Sequence, residues 1–314
     1  MELRTGKAGV HVLDRSVRRI LHGVLEEDGD HTALACAPFF LAGEESGAFA
    51  VHLAAAALWE RAVTPKEVQT VLLLPKGYSE DALRKLEEGI RAAALEEGLL
   101  ITGGHTEVTE AVSRPIVTAA AAGTPWEERC LAGSPGGDIV ATGRVCLAGT
   151  SLLAKAREEE LLSRFPVSLV EAGKAMGEAL SCRRMAEVYR ASCKRAGSRP
   201  LLVAAKEGGV FAALWRLSER TGTGFDVDLL KIPILQETVE ITDRFDINPY
   251  QTQSLGLCLF VTGDGAGLVR ELEEAGVRAE RIGQLTGNHD KCIRNGEERR
   301  SLELPVPDPL AGIL

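Results

Sequence analysis

Leu99-Leu100-Ile101-Thr102-Gly103-Gly104-His105-Thr106-Glu107 sets three apolar residues directly before two glycines and a polar run. Read as a short buried strand ending in a glycine turn, it makes the N-terminal half a mixed α/β unit. Two glycines let the backbone approach a ligand closely, and successive N–H groups there can form an anion nest. His105, Thr106 and Glu107 then offer a base, a hydroxyl and a metal-seeking carboxylate. The alternative is a tight turn whose polar residues face water.

Upstream, Ser79 is placed to cap a helix whose Leu83, Leu86, Ile90 and Ala94 share one face, with Gly98 ending it. Val68 to Leu74 is a strand closed by Pro75, Gly47 to Arg61 is an Ala-rich helix, and Thr32 to Leu41 reads as a buried strand. Before them an amphipathic helix is expected from Val10 to Leu25, followed by an acidic turn at Glu26–Asp30. Downstream, Arg114 to Ala122 is another strand. The turn-rich loop Ala132–Gly137 marks a boundary, dividing the chain into residues 1–135 and 136–314.

In the second half two or three helices are expected between Ser151 and Arg195. Strands follow at Pro200–Ala205, Phe225–Lys231, Leu257–Thr262 and Arg281–Leu285, with helices at Gly208–Arg220, from Pro233, and at Gly267–Ala275. Closing strands flank Asn295-Gly296. Strands alternate with helices in both halves, so the expected fold class is α/β (α+β) in two domains.

Composition bounds the function. The 314 residues are 45% apolar with only 3 Trp, 3 Tyr and 8 Phe, so the core rests on Ala, Val, Leu and Ile. The net charge of −9 argues against a sequence-independent grip on nucleic acid or an anionic membrane. No apolar run reaches the ~20 residues of a spanning helix, and the start lacks the order of a secretory signal. Seven scattered cysteines without a Cys-x-x-Cys pair fit a reducing compartment. The expectation is a cytoplasmic protein.

Other motifs compete for attention. Gly263-Asp264-Gly265-Ala266-Gly267 lies where a dinucleotide fingerprint would, but its third glycine is displaced, so an ordinary strand-to-helix turn is favoured. Gly287-Asn288-His289-Asp290 has the look of a two-metal phosphoesterase block, yet the other ligands such a centre needs are missing, and a surface turn reads better. Glu207-Gly208-Gly209 opens a helix and could receive a phosphate. Cys292 is the thiol nearest a histidine but has no identifiable third group. Glu158–Glu160 is a solvated helix face.

Taken together, the segments resemble the aminoimidazole-ribonucleotide synthetase (PurM) superfamily, its hydrogenase-maturation HypE branch in particular. Gly6-Lys7, the helix from Ala50 through Leu58 to Pro65, and Ile101–Val108 carry the likeness in the first half. Gly137–Gly143 with Leu147–Thr150, Glu207-Gly208-Gly209, and Asn248-Pro249 through Ser254 to Gly256 carry it in the second. The resemblance implies a two-domain PurM-like subunit whose N-terminal strands pair across a homodimer, with ATP and Mg²⁺ in an acid-lined cleft. HypE-like members use ATP to dehydrate a carbamoyl group carried on a C-terminal cysteine.

The sequence departs from that pattern where the acids belong. Ala56-Ala57 stands for Asn-Asp, Ala35-Cys36-Ala37 for the acid of the first core strand, Val203-Ala204 for His-Asp, and Leu255 for the late Glu. The sequence ends Asp308-Pro309-Leu310-Ala311-Gly312-Ile313-Leu314, without a cysteine. Each lost carboxylate is a lost ligand for a hard cation. The expectation is therefore a homodimeric nucleotide- or phosphate-binding paralogue, with ATP as ligand and no Mg²⁺ requirement. Its contacts would be Gly103, Gly104, His105, Thr106 and Glu107, facing Glu207, Gly208, Gly209 and Ser254 as the family geometry implies. The alternative is an active ATP-dependent enzyme drawing carboxylates from Asp28, Asp30, Glu44, Glu45 or Glu107.

Overall fold

The computed structural model describes residues 10–20, 33–127 and 136–314. The first helix, α1 (Val10–Leu13), continues as a π turn over Asp14–Arg18. The rest of the helix expected to Leu25, the acidic turn and residues 132–135 of the expected boundary loop lie outside the described residues.

The N-terminal layer is β1 (Leu34–Phe39), α2 (Ser46–Glu60), β2 (Val63–Pro75), α3 (Glu80–Glu97), β3 (Leu100–Thr109) and β4 (Ile116–Pro125). Its four strands run in the order β1-β4-β2-β3, with β2 and β3 parallel and the other pairs antiparallel. The Ser79 hydroxyl caps α3 by accepting from the Ala82 N–H at 3.1 Å, and Gly98 ends it at φ 69°. Helix α3 buries the stripe Leu86, Ile90, Ala93 and Ala94, together with Glu97 in its last turn. The Ala-rich α2 is buried on nearly every side, because small side chains let it pack against the sheet, α3 and the second layer together.

The second layer holds β5 (Asp138–Thr142), α4 (Leu147–Ala156), α5 (Glu158–Leu162), α6 (Val167–Ala175) and α7 (Arg183–Ala196). These lead to β6 (Leu201–Ala204), α8 (Gly209–Thr221), β7 (Gly224–Asp228) and α9 (Gln236–Arg244). Then come β8 (Cys258–Thr262), α10 (Gly265–Glu274), β9 (Ala279–Thr286), β10 (Lys291–Asn295), β11 (Glu298–Ser301) and the short α11 (Leu310–Ile313). The seven strands order as β11-β10-β7-β9-β5-β8-β6, parallel only between β7 and β10.

Four local expectations change. The two or three helices expected between Ser151 and Arg195 are four, α4 to α7, with α4 already starting at Leu147. The strand from Phe225 stops at Asp228, whose carboxylate accepts from the Leu230 N–H at 3.1 Å and turns the chain into a 3₁₀ turn. Helix α9 begins at Gln236, three residues after Pro233. The glycine turn after Ile101 does not exist: the backbone stays extended through Thr109, pairing Thr70 with Gly104 and Leu73 with Glu107. A strand already in place at β2 supplies hydrogen bonds to the whole segment, and that outweighs the local turn preference of two glycines.

The two layers are joined by a charge cluster. Glu60 at the end of α2 accepts from Lys206 Nζ at 2.7 Å, the Ala204 N–H at 2.8 Å and Arg216 Nη2 at 3.4 Å. Burial would push its carboxyl up, but Lys206, Arg216 and Arg220 together hold it below its ordinary value. Deeper in the N-terminal layer, buried Glu97 accepts from Trp59 Nε1 at 3.5 Å and pairs with His52 Nδ1 at 2.8 Å.

Candidate functional site

The expected site residues fall into two separate places. Gly103 to Glu107 lie on β3, an edge strand exposed from Leu100 to Val108. Alternation puts His105 and Glu107 on one face, and His105 Nε2 meets Glu107 Oε2 at 3.2 Å in the open. Gly104 is glycine for a packing reason: a Cβ there would stand 2.5 Å from the Thr70 carbonyl oxygen of β2.

The second group is a genuine glycine junction. Gly208 and Gly209 sit at φ 76° and 64°, the left-handed region, where β6 turns into α8. A Cβ on Gly209 would stand 2.5 Å from the Tyr250 carbonyl oxygen and 2.7 Å from that of Thr252. The Gly209 N–H is spent on the Lys206 carbonyl at 2.9 Å. Ser254 is fully buried, accepting from the Cys146 N–H at 2.9 Å and donating to the Thr252 carbonyl at 2.8 Å. Its hydroxyl holds a loop together. Cys146 beside it has its thiol pushed up to about 12 by burial, which keeps it protonated and unreactive.

Between the layers, next to this junction, lies a cavity of about 460 Å³. Phe39, Phe40, Leu41, Leu53, Ala57 and Leu310 supply much of its apolar wall. Cys36 and Ala37 of β1 line it too, as do Lys206, Glu207, Gln253 and Asp308. Three of the positions that the resemblance assigns to the acidic cleft, Cys36, Ala37 and Ala57, therefore share one small-residue and apolar wall. Val203 and Leu255 are fully buried in the core.

Asp308, which the sequence shows only as part of the closing segment, 100 positions beyond the glycine block, belongs to this site. Its Oδ2 accepts from the Gly208 N–H at 3.1 Å and its Oδ1 from the Leu310 N–H at 3.0 Å, and the Gln253 N–H also donates to it. Burial raises its carboxyl to about 6 against those three hydrogen bonds, with nearby Glu207 pushing the same way. The Glu60 cluster was missed as well, since its partners lie ~150 positions apart and no spacing rule reaches that far.

The remaining candidates are structurally accounted for. Glu44 pairs with Lys85 at 3.4 Å and Glu45 with Lys155 at 2.5 Å, while Asp28 and Asp30 lie outside the described residues. In the 287–290 turn, Asn288 Oδ1 accepts from Thr286 Oγ1 and its Nδ2 donates to Asp290, both at 2.7 Å. Gly263–Gly267 is a strand-to-helix turn capped by Asp264, which accepts from the Gly267 N–H at 2.8 Å. Among the described residues, no three His, Cys, Asp or Glu side chains come together as a metal site. No helix among them is long and apolar enough to cross a membrane.

The family model described as AIR synthase related protein, C-terminal domain, matches residues 134–294. The chain belongs to the AIR synthase related family. It is 22% identical over 281 residues to a "Putative hydrogenase expression/formation protein" of Methanocaldococcus jannaschii, across 87% of this chain and 80% of the relative. It is similar in fold to the hydrogenase maturation protein HypE in complex with ATP, at TM-score 0.74 and 15% identity over 98% of this chain and 97% of that one. It is likewise similar to a chain of the HypE–HypF complex, at TM-score 0.72 and 19% identity over 95% and 100%. The architecture is thus the PurM-like, HypE-type fold.

Proposed function

We propose that this AIR synthase related, HypE-like protein is a binding or regulatory paralogue that needs no Mg²⁺, and that it does not carry out carbamoyl dehydration. The observation behind this reading is the wall of the interlayer cavity. Where the resemblance places acids to hold a hard cation, Cys36, Ala37 and Ala57 face the space, and a divalent ion needs oxygen ligands. Of the three charged side chains that line it, Lys206 is committed to Glu60 and the Asp308 carboxylate to backbone N–H groups, and Glu207 is one carboxylate where the resemblance implies several. ATP is the ligand to test first, because a HypE of the same fold has been solved with it.

Residues 1–135 and 136–314 form the two domains in this reading, with β3 as the dimer edge. Leu100, Ile101 and Val108 are 73%, 48% and 60% exposed on a strand that pairs only with β2 among the described residues, and a second β3 would cover them. HypF, which forms a complex with HypE, suggests the class of protein partner to try.

One observation favours the rival reading of an active ATP-dependent enzyme: the exposed His105–Glu107 pair offers a carboxylate and an imidazole on one strand face. Steady-state ATP hydrolysis with and without Mg²⁺ separates the two. No turnover above background, unchanged in Glu107→Ala, is the expected result. Steady Mg²⁺-dependent turnover abolished by Glu107→Ala would establish the enzyme.

A further inference from the structure

The segment after β11 returns to the interlayer cavity and fills one end of it. Leu310 is fully buried, and Asp308 accepts from the Gly208 N–H at the N-cap of the 13-residue helix α8, from the Gln253 N–H, and from the Leu310 N–H of its own segment. Farther on, Arg157 Nη2 donates to the Ile313 carbonyl at 2.5 Å and Arg114 Nη1 to the Leu314 carbonyl at 3.1 Å. The contacts are those of a ligand: one oxyanion in a cradle of N–H donors, with an apolar group beside it. They leave about 460 Å³ of cavity, well within the range of small-molecule sites. Gln253, 2% exposed and lining the same cavity, has an Oε1 with no partner among the described residues. A buried acceptor in that state is uncomfortable until something donates to it.

We infer that this cavity is a binding site for a small amphipathic anion, and that the segment Asp308–Leu314 is its resident competitor. The ligand would carry one carboxylate, phosphoryl or sulfonyl head to take the place of Asp308 at the Gly208 and Gln253 N–H groups. Its apolar or aromatic body would lie against Phe39, Leu53 and Ala57, and a hydroxyl or amide donor on it would satisfy Gln253. The α8 N-terminus favours the negative head electrostatically, and the left-handed backbone at Gly208 aims its N–H at that head. The inference rests on the binding-protein reading above, to which it adds the ligand class and the means by which the empty site is kept closed.

The test uses anilinonaphthalene sulfonate, an aromatic anion whose fluorescence rises in apolar sites, titrated into the full chain. Asp308→Ala should bind the probe about tenfold more tightly than the unmodified chain, because the competing closed state is removed. Arg114→Ala and Arg157→Ala, both at exposed positions that hold only the far end of the segment, should tighten binding in the same direction. Ala57→Phe, which fills the hollow, should abolish it in each background. Near-ultraviolet circular dichroism separates a folded site from a loosened core, and the two arginine variants decide the question if Asp308→Ala does not fold.

Equal affinity in the unmodified chain and all three tail variants, lost in Ala57→Phe, would overturn the competitor and leave the cavity a binding site. Binding that survives Ala57→Phe, or no binding in any variant, would overturn the site itself. The outcome is independent of ATP, so failure of a nucleotide titration and failure of this inference are distinguishable.

Discussion

Two glycine pairs, Gly103-Gly104 and Gly208-Gly209, look alike in sequence and do opposite things. The first is flat: neither residue has positive φ, and Gly104 is glycine so that β3 can lie close against the Thr70 carbonyl. The second is bent: both residues are left-handed, the Gly208 N–H meets Asp308 at the cavity end, and the Gly209 N–H is held by the Lys206 carbonyl. The first pair is open to solvent on a free strand edge, whereas the second is closed by the protein's own carboxylate. A glycine pair therefore announces a close approach of backbone, and only its neighbours in space decide whether what approaches is another strand or an anion.

The largest effect expected from breaking this contrast is at the joint that positions the bent pair. Glu60→Gln leaves Lys206 and Arg216 facing a neutral group in a buried setting, and should destabilise the protein by about 3–5 kcal/mol in denaturant unfolding. Gly209→Ala forces a left-handed alanine whose Cβ has no room beside Tyr250 and Thr252. A loss of ~3 kcal/mol or more is expected, from backbone strain and the clash together. Gly103→Ala, whose Cβ would meet nothing closer than 3.8 Å, should change stability by ~1 kcal/mol or less. If the two glycine variants lose stability equally, the contrast drawn here is wrong.

Asp308 sharpens the comparison through pH. Its folded-state value of about 6 lies above its ordinary 3.8, so the folded protein holds the proton more tightly than the unfolded chain. The sign follows: this group costs no stability when protonated in both states, and stability falls as pH rises from about 4 to about 6. The gap between the wild type and Asp308→Asn should therefore shift by on the order of 2 kcal/mol between pH 4 and pH 7, read from unfolding curves. A gap that stays constant with pH would contradict an enclosed, titrating Asp308. The smallest change in folding is expected from Ile101→Lys on the flat strand. It should leave the melting temperature nearly unaltered but abolish, in sedimentation, the dimer proposed above, since a charge on an exposed edge opposes strand pairing.

Much of the fold was legible because it is local. The Ser79 cap, Gly98 stop, Ala-rich α2 and the Asn295-Gly296 hairpin all follow from residues within a few positions of one another. The site was less so. The run from Gly103 read as a turn because its strand partner β2 lies more than 30 positions away, and a ladder is a non-local cause. Ser254 carries a family position but spends its hydroxyl on Cys146 and Thr252, which spacing cannot reveal. Asp308 meets Gly208 across 100 positions and Lys206 meets Glu60 across 146, so the cavity and its stopper emerge only when the two layers are assembled.

The most direct measurement is a calorimetric titration of ATP into protein of known oligomeric state, with and without Mg²⁺. The account predicts binding, weak or strong, that does not change when Mg²⁺ is removed, because the cavity wall at Cys36, Ala37 and Ala57 offers no carboxylate oxygen to a hard cation. Tight binding that requires Mg²⁺ would contradict it, and would place a metal-dependent nucleotide site in this chain.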